Sequence, residues 1–145
     1  MKHISRSLEE TEQIAKDFIV SLKPSDIATV VALNGDLGAG KTTFSQFIGR
    51  ALGVTENIPS PTFLIERVYE LKAKPWTHFI HIDAYRLERE EELLALGFAK
   101  MLEKPENLIF IEWAERVKNI LPNSAIHIDI NHVDETTREI QISTP

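Results

Sequence analysis

The positions Leu8, Thr11, Ile14, Ala15, Phe18 and Leu22 recur at intervals of three and four, the spacing of an amphipathic helix. Ser7-Leu8-Glu9-Glu10 precedes this pattern with a capping-box spacing, and Lys23-Pro24 closes it. Residues 27–33, Ile-Ala-Thr-Val-Val-Ala-Leu, are apolar on both faces and rich in β-branched side chains, which predicts a buried parallel strand. A Gly-rich turn leads into a second helical pattern at Phe44, Phe47, Ile48, Ala51 and Leu52, with Gly53 placed to end it. Residues 63–71 and 76–83 read as strands, and Lys72-Ala73-Lys74-Pro75 between them suits a hairpin. A helical stretch over residues 90–96 breaks near Gly97 and resumes through Met101 and Leu102, before a short buried strand at residues 108–111. Ile126, Ile128 and Ile130, then Ile140 and Ile142, alternate with polar residues, as in an antiparallel pair at a sheet edge.

These elements add up to an α/β protein, a three-layer fold whose mixed sheet has a parallel core and antiparallel hairpin additions. The 145 residues show no repeat, low-complexity run or flexible linker, and the seven prolines are scattered, so residues 1–145 are expected to form a single domain. Hydrophobic residues at 43% and charged residues at 26% exclude disorder over most of the chain. The absence of cysteine removes disulfides, thiolate metal sites and cysteine nucleophiles. Sixteen Lys and Arg against 22 Asp and Glu leave a net charge of −6, which disfavours non-specific nucleic-acid binding. No secretory signal follows Met1-Lys2-His3-Ile4-Ser5-Arg6, and no apolar run approaches the roughly 18 residues of a membrane span. The expectation is a soluble cytoplasmic protein with no membrane partner.

The chemistry is concentrated in the Gly-rich turn. Gly35-Asp36-Leu37-Gly38-Ala39-Gly40-Lys41-Thr42 satisfies G-x-x-x-x-G-K-[ST] at every fixed position, between a buried strand and an amphipathic helix. Glycines let backbone amides approach a phosphate closely, and successive N–H groups form an anion nest completed by the helix N-terminus. Lys41 supplies a charge for the β- and γ-phosphates and Thr42 a hydroxyl ligand for Mg2+. A nucleoside triphosphate with Mg2+ is the implied ligand. The motif does not identify the substrate, because the same loop serves kinases, switches and motors.

A phosphate-binding loop of this kind needs a carboxylate at the end of a neighbouring strand. Two apolar runs end in an acid, His81-Ile82-Asp83 and Phe110-Ile111-Glu112. The second is the more purely apolar, which favours Glu112 for the metal and leaves Asp83 to orient water or a group behind the metal; either acid alone also reads as a strand-end cap or solvated side chain. Thr62, in Ser60-Pro61-Thr62, lies where a γ-phosphate-sensing hydroxyl can sit but also reads as a turn residue. Arg86 is a candidate for neutralising phosphate charge or for pairing with a surface acid, and Trp113 for core, lid or partner contact. His78, His81, His127 and His132 share no metal-ligand spacing and read as strand or turn residues. Glu88, Glu90, Glu91 and Glu92 read as a solvated helix face.

In order and spacing, Asn34-Gly35-Asp36-Leu37-Gly38-Ala39-Gly40-Lys41-Thr42-Thr43, Ser60-Pro61-Thr62-Phe63, His81-Ile82-Asp83-Ala84-Tyr85-Arg86, Glu91-Glu92-Leu93 and Ile111-Glu112-Trp113-Ala114-Glu115 closely resemble the TsaE (YjeE) family. These are bacterial P-loop ATPases of tRNA threonylcarbamoyladenosine biosynthesis. The resemblance implies a P-loop NTPase-like fold and two larger partners, a TsaB-like subunit and a TsaD-like transferase. ATP hydrolysis would reset that pair between turnovers, with tRNA acted on by the complex rather than bound directly. By position, Gly38, Ala39, Gly40, Lys41, Thr42 and Thr43 would wrap the phosphates, and Thr42 and Glu112 would hold Mg2+. Thr62 and Asp83 match positions near the γ-phosphate and the attacking water. Arg138, Glu115 and Leu8 match positions near the nucleotide, and Trp113 one that reports on nucleotide or partner binding.

Two other functions use the same loop. A small-molecule kinase would need an Arg-rich lid, whereas residues 88–101 are mainly acidic and apolar. A nucleotide-dependent binding switch with negligible turnover differs only in the work done by Asp83 and Glu112.

Overall fold

The computed structural model describes residues 1–36, 38–55, 66–72 and 75–145. The chain runs β1 (Lys2–Ser5), α1 (Leu8–Ser21), β2 (Thr29–Asn34), α2 (Lys41–Ala51), β3 (Glu66–Glu70), β4 (His78–Asp83), α3 (Glu90–Ala95), α4 (Phe98–Leu102), β5 (Asn107–Glu112), a 3-10 helix (Ala114–Ile120), β6 (Ile126–His132) and β7 (Arg138–Ser143). The strands form one seven-stranded sheet in the order β1-β7-β6-β2-β5-β4-β3. Its centre, β6-β2-β5-β4, is parallel, and β3, β7 and β1 add antiparallel to the two sides.

The sheet is covered on both faces, as the near-continuous apolar runs of β2 and β5 require. Alternate side chains of the central strands split into two cores. Val31, Leu33, Phe79 and Phe110 pack under Phe18 of α1 and Phe44 and Ile48 of α2. Val30, Ala32, Ile80, Ile82, Ile109 and Ile111 pack with Leu93 of α3, Phe98 of α4 and Val117 of the 3-10 helix. The result is the three-layer α/β architecture expected of the sequence. Because the four central strands run parallel, β2, β4 and β5 all end at one edge of the sheet, where open α/β sheets bind ligands.

The helix starts follow local chemistry. Ser7 Oγ accepts from Glu10 N at 3.1 Å and caps α1. The glutamate reaches back to Arg6 N at 3.1 Å, one residue earlier than the capping box expects. Gly53, in the left-handed region at φ 90°, follows the end of α2.

Three features differ from the expectation. The first element is a strand: β1 pairs with β7 through Lys2↔Gln141 to Ser5↔Arg138. Its four residues, Lys-His-Ile-Ser, carry too little apolar pattern to announce themselves. The Ile126–Ile142 pair is consequently not at the edge, since β6 lies parallel to β2 and β7 is covered by β1. Glu90, read as part of a solvated face, accepts from Asn119 N and Nδ2, each at 2.9 Å, and fastens the 3-10 helix to α3. Residues 63–65 of the expected strand and 73–74 of the expected hairpin link lie outside the described residues. Among the described residues, no helix is long and apolar enough to cross a membrane.

Candidate functional site

The turn after β2 is fixed by close approach. Gly35 has φ 144°, and a Cβ there would sit 2.1 Å from the carbonyl oxygen of Ile130 on β6. Ala39 N donates to Asp36 O at 3.0 Å, and Gly40, at φ 106°, turns the chain into α2. No side chain caps α2, so the amides of its first turn are left for another acceptor. With the positive end of the helix dipole, they make an anion-binding end. Cβ positions on Gly38 and Gly40 would meet no atom of the described residues within 4 Å.

Lys41 begins α2 and is 5% exposed. Its Nζ donates to Gly35 O at 2.5 Å and Asp36 O at 3.0 Å, and lies 4.0 Å from the centre of the Trp113 ring. Burial holds the ammonium below its ordinary pKa, against the opposing charges of Glu112, Glu115, Asp36 and Asp83. Thr42 Oγ1 donates to Glu112 Oε1 at 2.8 Å. Asp83 and Glu112 are register partners at the ends of β4 and β5, so their side chains leave the same face. Burial raises the Asp83 pKa, aided by the charge of Glu112 and opposed chiefly by the hydrogen bond that Tyr85 N donates to Oδ1 at 2.9 Å. Trp113 has φ 57°, a left-handed conformation costly for a bulky residue, and packs at a tilt of 49° against Tyr85 with ring centres 4.9 Å apart.

On the other flank of the loop is a cavity of about 480 Å³. Ser7 and Leu8 at the start of α1, Gly38 to Gly40 of the loop, Thr43 of α2 and Arg138 of β7 line it. Arg138 Nε donates to Ala39 O at 3.1 Å, while Nη1 donates to Asp134 O at 2.7 Å and Thr137 O at 3.0 Å. One guanidinium thus ties the β6–β7 turn to the phosphate-binding loop across 99 positions of chain.

Of the sequence-predicted residues, Lys41, Thr42, Asp83 and Glu112 meet at one side of the loop, with the charge of Glu115 reaching Lys41. Leu8, Gly38, Ala39, Gly40, Thr43 and Arg138 meet at the cavity. Thr62 lies outside the described residues. Sequence reasoning missed His81, whose Nε2 is 2.5 Å from Glu112 Oε2 and which is fully buried. The signal was an imidazole inside an otherwise apolar strand, where a buried polar ring needs a partner.

The donors fit a hard divalent cation. Thr42 and Glu112 supply oxygen, and among the described residues no group of three or more His, Cys, Asp or Glu is placed to hold a metal unaided.

Comparison with known proteins adds a family. Residues 5–140 match the model described as threonylcarbamoyl adenosine biosynthesis protein TsaE. A Rickettsia felis protein named tRNA threonylcarbamoyladenosine biosynthesis protein TsaE is 44% identical over 137 residues, 94% of this chain and 75% of the relative. A Bacillus subtilis protein of the same name is 38% identical over 132 residues, 91% of this chain and 78% of the relative. The crystal structure of Bacillus subtilis YdiB superposes with a TM-score of 0.79 at 30% identity, covering 99% of this chain and 84% of that one. The P-loop NTPase fold expected of the sequence is the fold of that neighbour.

Proposed function

Because this chain belongs to the TsaE family of tRNA threonylcarbamoyladenosine biosynthesis, we propose that it binds ATP with Mg2+ and hydrolyses the nucleotide. In this reading it resets a TsaB–TsaD-like pair between turnovers. The observation that carries the proposal is the 2.8 Å hydrogen bond from the Thr42 hydroxyl to Glu112, beside an uncapped helix N-terminus. A hydroxyl and a strand-end carboxylate meeting at a phosphate-binding loop are the oxygen pair that a nucleotide-bound cation requires.

The roles follow from position. The amides of Gly38 to Thr43 and the dipole of α2 bind the phosphates. Lys41 turns its charge to the β- and γ-oxygens. Thr42 and Glu112 hold Mg2+, which when bound neutralises charge on the phosphates. The cavity beside Leu8, Glu9 and Arg138 takes the nucleoside, and its volume of about 480 Å³ falls within the roughly 300–1,000 Å³ of small-molecule sites. Asp83 orients the attacking water: Tyr85 N holds Oδ1, and Oδ2 receives the water's hydrogen bond. Its burial-raised pKa suits it to take the proton as the oxygen–phosphorus bond forms and the bridge to the β-phosphate breaks. Thr62 is assigned the γ-phosphate and Glu115 the nucleotide side of Trp113. Catalysis is then mainly positioning and charge neutralisation, and partners complete it.

The test is Mg2+-dependent ATP hydrolysis by the purified chain, alone and with the TsaB–TsaD pair, with Lys41→Ala as control. Stimulation by the pair that disappears in the control supports the proposal. A rate indifferent to the pair removes the reset role, and phosphate appearing on an acceptor other than water replaces hydrolysis by a kinase reaction.

A further inference from the structure

His81 occupies the middle of β4 with no exposed surface, among Phe79, Ile80 and Ile82. Its ring stacks on Phe79, the centres 6.3 Å apart and the planes 4° from parallel. Nδ1 is buried with no hydrogen-bond partner among the described residues. An aliphatic side chain would fill this position without an unsatisfied nitrogen, so packing alone does not account for the imidazole. Its other nitrogen does: Nε2 reaches Glu112 Oε2 at 2.5 Å, diagonally across the β4–β5 ladder where His81 faces Phe110. A carboxylate oxygen accepts, so in this pair Nε2 is the donor and Glu112 Oε2 the acceptor.

Glu112 therefore has its two oxygens divided. Oε2 is held by a fully buried ring packed on Phe79, and Oε1 faces the Thr42 hydroxyl at 2.8 Å. We propose that His81 is a positioning residue which pins Glu112 Oε2, offers a cation only Oε1, and so selects a small divalent ion over a large one. Mg2+ takes one oxygen from each carboxylate in a compact octahedron, whereas Ca2+ accepts more ligands and readily binds a carboxylate through both oxygens. Freed from His81, Glu112 can rotate to offer both. This inference rests on the Mg–ATP reading above.

The experiment is calorimetric binding of ADP to the full chain, without metal, with Mg2+ and with Ca2+, for the parent, His81→Leu and His81→Gln. Expected is a loss of about 10–100-fold in the Mg2+ enhancement for His81→Leu. Ca2+ should lose less, metal-free ADP affinity should hold, and the N–H donor of His81→Gln should recover most of the difference. A purely structural role would weaken all three conditions together. A parent chain indifferent to Mg2+ would overturn the Mg–ATP reading and this inference with it. A parent that responds, with His81→Leu retaining the same Mg2+-to-Ca2+ preference or losing all binding uniformly, would overturn the inference alone. Should His81→Leu not fold, the parent still decides the matter by NMR of labelled histidine nitrogens. A proton on His81 Nε2 whose resonance shifts when Mg2+ joins bound ADP supports the proposal. An unprotonated Nε2, or a resonance indifferent to Mg2+, overturns it.

Discussion

Thr42 and Glu112, 70 positions apart, are joined by a 2.8 Å hydrogen bond from Oγ1 to Oε1. One residue opens α2 and the other closes β5, and the sheet brings the two ends together. The pair separates two kinds of damage. Thr42→Ala should lower Mg2+-dependent turnover on the order of 100-fold and leave the fold intact. Glu112→Ala should lose turnover and also about 1–3 kcal/mol of stability, because His81 Nε2 then loses its acceptor inside the core. Hydrolysis rates beside urea unfolding midpoints check both.

Arg138→Ala removes the guanidinium that joins Ala39 O to the β6–β7 turn. The loop loses a support and the cavity a wall. Nucleotide affinity should fall by about 10-fold or more, since hydrogen bonds from a charged donor contribute about 1.5–3 kcal/mol. Titration calorimetry with ADP reads this directly; an unchanged dissociation constant would refute it.

Two glycines of the loop should respond differently to alanine. At Gly35 the new methyl would stand 2.1 Å from the Ile130 carbonyl oxygen, at φ 144°. Backbone must move, and the cost should be at least about 3 kcal/mol. At Gly38 a Cβ meets nothing within 4 Å, so the cost reduces to the left-handed conformation, about 1–2 kcal/mol. Thermal unfolding of Gly35→Ala and Gly38→Ala gives the order.

Glu66 begins β3 with Oε2 buried and without a hydrogen-bond partner among the described residues, and burial raises its pKa. A raised carboxyl pKa means that the folded state favours the protonated form. The penalty is absent below the ordinary glutamate value of about 4.3, grows as pH rises through the folded pKa, and is complete above it. Glu66→Gln should therefore be more stable than the parent at neutral pH, with the gap closing in acid. Urea midpoints at both ends of that range test it, and an equal gap at both would contradict it.

Much of the architecture was legible along the chain. Runs apolar on both faces announced β2 and β5, alternating isoleucines announced β6 and β7, and three-four spacing announced α1 and α2. The phosphate-binding loop was legible because its backbone geometry demands glycine at fixed places. The acids Asp83 and Glu112 stood out by ending apolar strands. Thr62 lies outside the described residues, so its assignment rests on the sequence.

Sequence by itself determined which residues suit a phosphate, a hard cation and a buried strand, because those demands are local: a backbone angle, a charge, a hydrophobic period. Only the tertiary structure decided that β1 closes the sheet beside β7, that Arg138 reaches Ala39, and that His81 holds Glu112. Each is a pairing between distant segments, fixed by strand order and register. A lone histidine or a four-residue polar strand carries no periodicity from which such a pairing can be read.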